Sequence, residues 1–359
     1  MKNQIYFTPG PSALYFTVRE HLKSALDSNV ASISHRSSFF KSFYGETVEN
    51  LRTLLKLPDN FQIFFTGSAT EIWERIIENC VDKESFHLVN GAFSERFYKT
   101  AVAFGKEAHK VESIAGSCPE IDNLMIAETH ELIGITHNET STGATQPLED
   151  IYKIREAFPD QLIAVDAVSS LPYVNIDYSK VDTVYFSVQK CFGLPPGLGV
   201  WLVNDRCIEK AENRMRRGKN IGYYHSLPTL YEKGLKNQTP ETPNSMGIYL
   251  LGKVVEDMLK KGIDQIRKET NSKAAILYNS LNKSDVFKPF VEEKRHQSKT
   301  VIVGKTAVSS ADIIQDLKKK GMTIGGGYGE FKDLHIRIAN FPTHSKEQIE
   351  MLADALEKI

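Results

Sequence analysis

Short apolar runs separated by amphipathic stretches dominate the chain from about residue 45 to 205. FQIFF (61–65), FHLV (86–89), LIGIT (132–136), LIAVD (162–166), TVYFSV (183–188) and GVWLV (199–203) read as strands buried on both faces. Between them, Ile72, Trp73, Ile76, Ile77 and Cys80 recur at helical spacing and predict an amphipathic helix over 71–80. Strands alternating with helices predict an α/β fold with a mostly parallel sheet sandwiched by helices. Residues 206–245 are polar and irregular, with Pro228, Pro240 and Pro243. One long helix is expected from Ser245 to Leu281. A strand (TVIVG), a helix ending at Lys318–Lys320 before Gly321, a strand (LHIRIA) and a last helix over 345–358 then describe a smaller α+β unit. The expected division is a large domain over 16–245, and a small domain made of 1–15 with 246–359.

Composition narrows the class. The 359 residues are 41% apolar and 25% charged with a net charge of −1, so nothing points to nucleic acid or to an anionic membrane. No apolar run approaches the roughly 20 residues that span a bilayer. The N-terminus MKNQIYFTPGPS carries no apolar segment of the secretory kind. Cys80, Cys118, Cys191 and Cys207 are scattered and form no metal-ligand pattern. Reduced thiols in a cytoplasmic protein are the simplest reading.

Two residues carry candidate chemistry. Lys190 follows a buried strand and precedes the loop FGLPPGLG, and Asp166 ends another apolar strand. A lysine desolvated at such a place can give up its proton and attack an aldehyde. An aspartate on a cationic ring nitrogen, with a lysine at the aldehyde carbon, is what pyridoxal phosphate requires. In parallel sheets, ligands sit at the carboxyl ends of the strands, where both residues lie.

Other positions admit two readings. Gly67-Ser68-Ala69-Thr70 between strand and helix suits a phosphate at a helix N-terminus, or a plain N-cap by Ser68 or Thr70. Phe93 stacks on a flat ring or belongs to the core. Thr140 contacts a ring substituent or lies in a polar turn. The pair His35-Arg36 binds an anion or forms a surface ion pair. Arg337, between Ile336 and Ile338, binds a carboxylate or lies on a solvated strand face. Gly304-Lys305-Thr306 lacks the upstream glycine of a P-loop, and residues 325–329 lack dinucleotide spacing.

These segments occur in a familiar order: FTPGPSAL, SHRS (34–37), TGSAT (66–70), NGAFSERF (90–97), NETSTG (138–143), VDAVSS (165–170), SVQK (187–190), TPETPN (239–244) and LHIRIANFP. Over nearly its whole length the chain resembles the class V (fold type I) pyridoxal-phosphate-dependent aminotransferases. It is most similar to the phosphoserine branch, with the alanine–glyoxylate and serine–pyruvate branches close by.

The resemblance implies that Lys190 carries the cofactor and moves the substrate proton, and that Asp166 keeps the ring nitrogen protonated. It implies stacking by Phe93 and a ring-hydroxyl contact from Thr140. Ser68, Ala69, Thr70 and Gln189 would hold the cofactor phosphate, joined by Thr242 of a neighbouring subunit, so that the site is complete only in a homodimer. Arg337 would bind the substrate α-carboxylate, and His35 and Arg36 its distal anion. The implied reaction takes glutamate and 3-phosphohydroxypyruvate to 2-oxoglutarate and O-phosphoserine, in serine biosynthesis. Alanine or serine with glyoxylate or pyruvate is the alternative.

Two departures bear on that choice. Where many bacterial phosphoserine enzymes have a second His-Arg pair, this chain reads Tyr328-Gly329-Glu330-Phe331-Lys332, with only Lys332 as a substitute cation. The PPGLG loop is closer to the alanine–glyoxylate branch.

Overall fold

The computed structural model describes residues 4–122 and 124–359. Residues 1–3, which fall in the segment expected to join the small domain, lie outside the described residues. The strands in chain order are β1 (Ile5–Phe7), β2 (Phe61–Thr66), β3 (Glu84–Val89), β4 (Glu107–Glu112), β5 (Leu132–Thr136), β6 (Asn138–Glu139) and β7 (Ala144–Thr145). They continue with β8 (Leu162–Asp166), β9 (Thr183–Ser187), β10 (Gly199–Asn204), β11 (Phe287–Pro289), β12 (Val301–Thr306), β13 (Met322–Gly326) and β14 (His335–Ala339).

Seven strands form the large sheet in the order β2-β10-β9-β8-β5-β3-β4. Pairing is parallel from β9 through β4, whereas β10 runs antiparallel to both of its neighbours. β3, β5, β8, β9 and β10 are buried along their whole length; the last four are mainly apolar runs, whereas β3 also buries Glu84, Ser85 and His87. Successive residues feed opposite cores. Ile133, Ile163, Val184 and Phe186 pack with the helices Ser38–Leu55 and Ser245–Lys261. Leu132, Ala164 and Tyr185 pack with the helices Ala69–Cys80 and Ala92–Ala103. β4 reads EAHKVE and occupies the edge, where charge discourages pairing with another chain. That polarity hides it from a search for apolar runs.

The second sheet has the order β1-β13-β14-β12-β11, with the N-terminal β1 parallel to β13. Two expectations about the connecting region need correction. The stretch 206–245 is not wholly irregular: helices span Asp205–Arg216 and Leu227–Gly234. Only Cys207, Ile208, Ala211 and Arg214 of the first are buried, and charged neighbours blur that narrow stripe. The expected long helix is two, Ser245–Lys261 and Ile263–Lys283. They break at Gly262, whose φ of +86° is costly for a residue with a Cβ. The break lets one helix pack on the large sheet while Ala274, Leu277 and Leu281 of the other pack with Ile302 and Ile336 of the small one.

Candidate active site

The carboxyl ends of β2, β3, β5, β8 and β9 share one edge of the large sheet, facing the small sheet. A cavity of about 340 Å³ opens there. Asp166, Lys190, Thr140, Phe93, Ala69, Thr70, Gln189 and Arg337 all line it.

Asp166 is the last residue of β8 and is 3% exposed. Its Oδ1 accepts from the Val168 N–H at 2.9 Å and its Oδ2 from the Trp73 indole at 3.3 Å. Burial pushes the carboxyl up to about 6, against the pull of the Val168 N–H and the Lys190 ammonium. Lys190 follows β9 by three residues, and its Nζ donates to Thr140 Oγ1 at 2.8 Å. Burial lowers its amine to about 8, with Asp166 opposing the shift. Each group is the nearby counter-charge that keeps the other ionised at neutral pH.

The Thr140 hydroxyl passes the contact on, donating to Ser169 Oγ at 3.0 Å, which donates to the Asn138 carbonyl at 2.9 Å. Phe93 stands at the start of the helix Ala92–Ala103, with the Lys190 amine 5.2 Å from its ring centroid. Arg337 in β14 donates from Nε to the Gly326 carbonyl at 2.7 Å and from Nη1 to the Thr140 carbonyl at 3.2 Å. These bonds turn the guanidinium toward the cavity it lines, with its Cζ 5.2 Å from the Tyr328 ring centroid.

Four candidates lie elsewhere in the chain. The Ser68 hydroxyl caps the helix Ala69–Cys80 by accepting from the Glu71 N–H at 3.1 Å. Arg36 is exposed and donates to Gln238 Oε1 at 2.6 Å and to the carbonyls of Thr239 and Pro240. His35 beside it is held below its ordinary pKa by burial and by the Arg36 cation. Thr242 is exposed on the adjoining loop. None of the four lines the cavity of its own chain.

Sequence reasoning missed several lining or supporting residues. Thr8, Pro9, Gly10 and Pro11 wall one side of the cavity, beside Trp73, Thr136, Asn138, Ser187 and Tyr328. Glu139 is fully buried and accepts from the N–H groups of Phe93 and Ser94 at 3.1 and 3.0 Å and from Ser141 Oγ at 2.6 Å. A carboxylate at the N-terminus of that helix is favourable, and it fixes where Phe93 stands. Trp73 sat in an apolar helical stripe, and its indole N–H was the available signal.

The cavity fits the expected cofactor. Gln189 Oε1 and Thr136 Oγ1 are buried lining atoms without a partner among the described residues, as expected where a polar ligand completes the set. Gly199 leaves no room for a side chain: a Cβ there would lie 2.5 Å from the Ser68 carbonyl carbon and 2.6 Å from Thr66 Oγ1. The Gly67–Thr70 turn can therefore lie directly against β10.

The profile of class-V aminotransferases matches residues 6–330. The chain belongs to the class-V aminotransferases. Its cofactor is therefore pyridoxal phosphate. A solved phosphoserine aminotransferase from Cytophaga hutchinsonii is 51% identical, superposes with a TM-score of 0.98 and is covered to 99%, using all of this chain. The phosphoserine aminotransferase of Nocardioides sp. is 28% identical over 98% of this chain and 94% of its own. An alanine–glyoxylate aminotransferase from Nostoc sp., at 24% identity and TM-score 0.86, shares the fold over all of this chain and 95% of its own.

Proposed function

We propose that this aminotransferase moves an amino group from glutamate to 3-phosphohydroxypyruvate, giving 2-oxoglutarate and O-phosphoserine, as a step of serine biosynthesis. The observation that carries the reading is the 51% identity, over the whole chain, to a phosphoserine aminotransferase. The alanine–glyoxylate relative at 24% supports the fold and does not favour the alternative substrate.

When bound, the cofactor supplies the electron sink that stabilises charge at the substrate Cα. The chain's residues select the reaction. Lys190 Nζ would be the group that meets the cofactor aldehyde, and as a desolvated amine it would take and return the proton at the substrate Cα. Desolvation keeps that amine near the pH at which it can do both. Asp166 keeps a proton on the ring nitrogen. Phe93 sets the plane of the ring, and Arg337 pins the α-carboxylate with its planar fork. Ala69, Thr70 and Gln189 receive the phosphate, with Ser68 holding the turn through its cap.

His35, Arg36 and Thr242 act in the site of a second subunit, where Arg36 binds the distal phosphate. Their placement outside their own cavity supports a homodimer with shared sites. So do the exposed aromatic rings of Phe16 (72%), Tyr223 (78%) and Tyr224 (60%). A cytoplasmic location fits four free cysteines, and among the described residues no helix is long and apolar enough to cross a membrane.

The test is a coupled assay offering glutamate with 3-phosphohydroxypyruvate, glyoxylate or pyruvate. The phosphorylated acceptor should win by at least about a hundredfold in kcat/KM, and Arg36→Ala should erase that advantage. Equal rates on all three acceptors would sink the reading.

A further inference from the structure

Glu71 presents a problem for a phosphate site. It lies in the first turn of the helix Ala69–Cys80, and its Oε2 accepts from the Gly67 N–H at 2.9 Å. A carboxylate is thus built into the turn that would receive a dianion, where like charge repels. The structure also holds its counter-charge. His225 Nδ1 is hydrogen-bonded to Glu71 Oε1, and His225 Nε2 lies 3.2 Å from Glu241 Oε2. The histidine bridges the phosphate turn to the loop that carries Thr242 and receives the Arg36 bonds.

We propose that His225, as an imidazolium, is a positioning residue for the phosphate end of the cofactor: it cancels the Glu71 charge and ties the Gly67–Glu71 turn to the 239–242 loop. This rests on the reading that Ala69 and Thr70 receive the phosphate. Every charged neighbour bears on it. Glu71 and Glu241 flank the ring. Arg75 Nε lies 3.8 Å from Glu71 Oε1 while its Nη1 pairs with Glu78. His35, with Arg36 beside it, senses the Glu241 charge, and the buried Tyr44 hydroxyl is pushed up by burial and then by Glu241. The contacts with Glu241 and then Glu71 raise the His225 imidazolium to about 9, against burial, so it carries its proton at neutral pH. Arg75 stands at the longer distance and is shared with Glu78, which leaves His225 the principal neutralising group on Glu71.

The experiment titrates the full chain, freed of cofactor, with pyridoxal 5′-phosphate and separately with 5′-deoxypyridoxal, which lacks the phosphate and cannot close a hemiacetal on its aldehyde. Absorbance and tryptophan fluorescence report binding. The ratio of the two affinities isolates the phosphate end, because both ligands share the ring and aldehyde that Asp166 and Lys190 meet. In the wild type, that ratio should fall as pH rises through about 9. His225→Gln should lower it about tenfold or more at pH 7.5 and abolish the inflection. Adding Glu71→Gln to His225→Gln should restore it to within about threefold, since the uncompensated charge is gone. A flat wild-type ratio across pH 8–10, equal losses for both ligands, or no rescue by the double variant would each overturn the proposal. The wild-type profile needs no substitution and stands even if a variant fails to fold. Wild-type protein that binds neither ligand would instead overturn the cofactor site itself, and this role with it.

Discussion

The Trp73 indole N–H donates to Asp166 Oδ2 across 3.3 Å, joining a helix on one side of the large sheet to the end of a central strand. The bond stabilises the ionised carboxylate in a place where burial raises its pKa to about 6. A hydrogen bond to a charged group contributes about 1.5–3 kcal/mol, and this one is long. Trp73→Phe keeps the apolar face and removes the donor. Its affinity for pyridoxal phosphate should fall roughly tenfold at pH 7, with the loss growing toward pH 6. Unchanged affinity across that range would show that the indole does not support the carboxylate.

Covalent capture of the cofactor should depend on pH in one direction between 6 and 8. The Asp166 carboxyl ionises through about 6, and the Lys190 amine becomes neutral through about 8. Both changes favour capture, so the rate of appearance of the bound absorbance band should climb over this window and then level off. Stopped-flow mixing of cofactor-free protein checks it; a rate that declines from pH 6 to 8 contradicts the assignment.

Lys190→Met should abolish turnover and raise the stability of the cofactor-free protein. A group whose folded pKa is depressed from 10.5 to about 8 destabilises the fold while charged. That cost is full below pH 8 and disappears as pH rises toward 10.5. Asp166 loses its counter-charge and must take up a proton at neutral pH, which offsets part of the gain, so about 1–2 kcal/mol is expected at pH 7, fading above pH 10. Urea titrations of both proteins at pH 7 and pH 10 measure it, and equal midpoints at pH 7 would refute it.

Glu139→Gln should be costly although it is nearly isosteric. The carboxylate accepts from Phe93, Ser94 and Ser141, and an amide nitrogen would turn a donor against donors. Loss of about 2–4 kcal/mol is expected, with a lower thermal midpoint and weaker cofactor binding as the Phe93 ring loses its fixed position.

Arg337→Lys separates the two anion sites. It loses the bonds to Gly326 and Thr140 and the planar fork. KM should rise at least about tenfold for amino donors and keto acceptors alike, because each carries an α-carboxylate. A rise confined to the phosphorylated substrate would exchange the roles of Arg337 and Arg36.

The candidate pair Lys190 and Asp166 is legible because its signal is local. An aspartate ending an apolar strand, or a lysine just past one, stands out against its neighbours, and strand ends of a parallel sheet converge by topology. The edge strand Glu107–Glu112 and the helix Asp205–Arg216 were not legible, since surface charge outweighs their thin buried stripes. Within Ser245–Lys283 the apolar spacing runs on across Gly262; Lys260-Lys261-Gly262 is a helix stop of the kind seen at Lys318–Gly321, and the two separate cores on either side make the turn plain.

From the sequence alone came the α/β alternation, the candidate lysine and aspartate, and the small-residue turn Gly67–Thr70 between strand and helix. Each depends on burial periodicity or on backbone freedom within a few residues. Tertiary structure alone decided that Glu139 secures the Phe93 helix, that Trp73 meets Asp166, and that His225 stands between Glu71 and Glu241. Those partners are 46, 93, 154 and 16 residues apart. No spacing rule links them, because a buried charge is satisfied by whichever group the packed elements bring within reach.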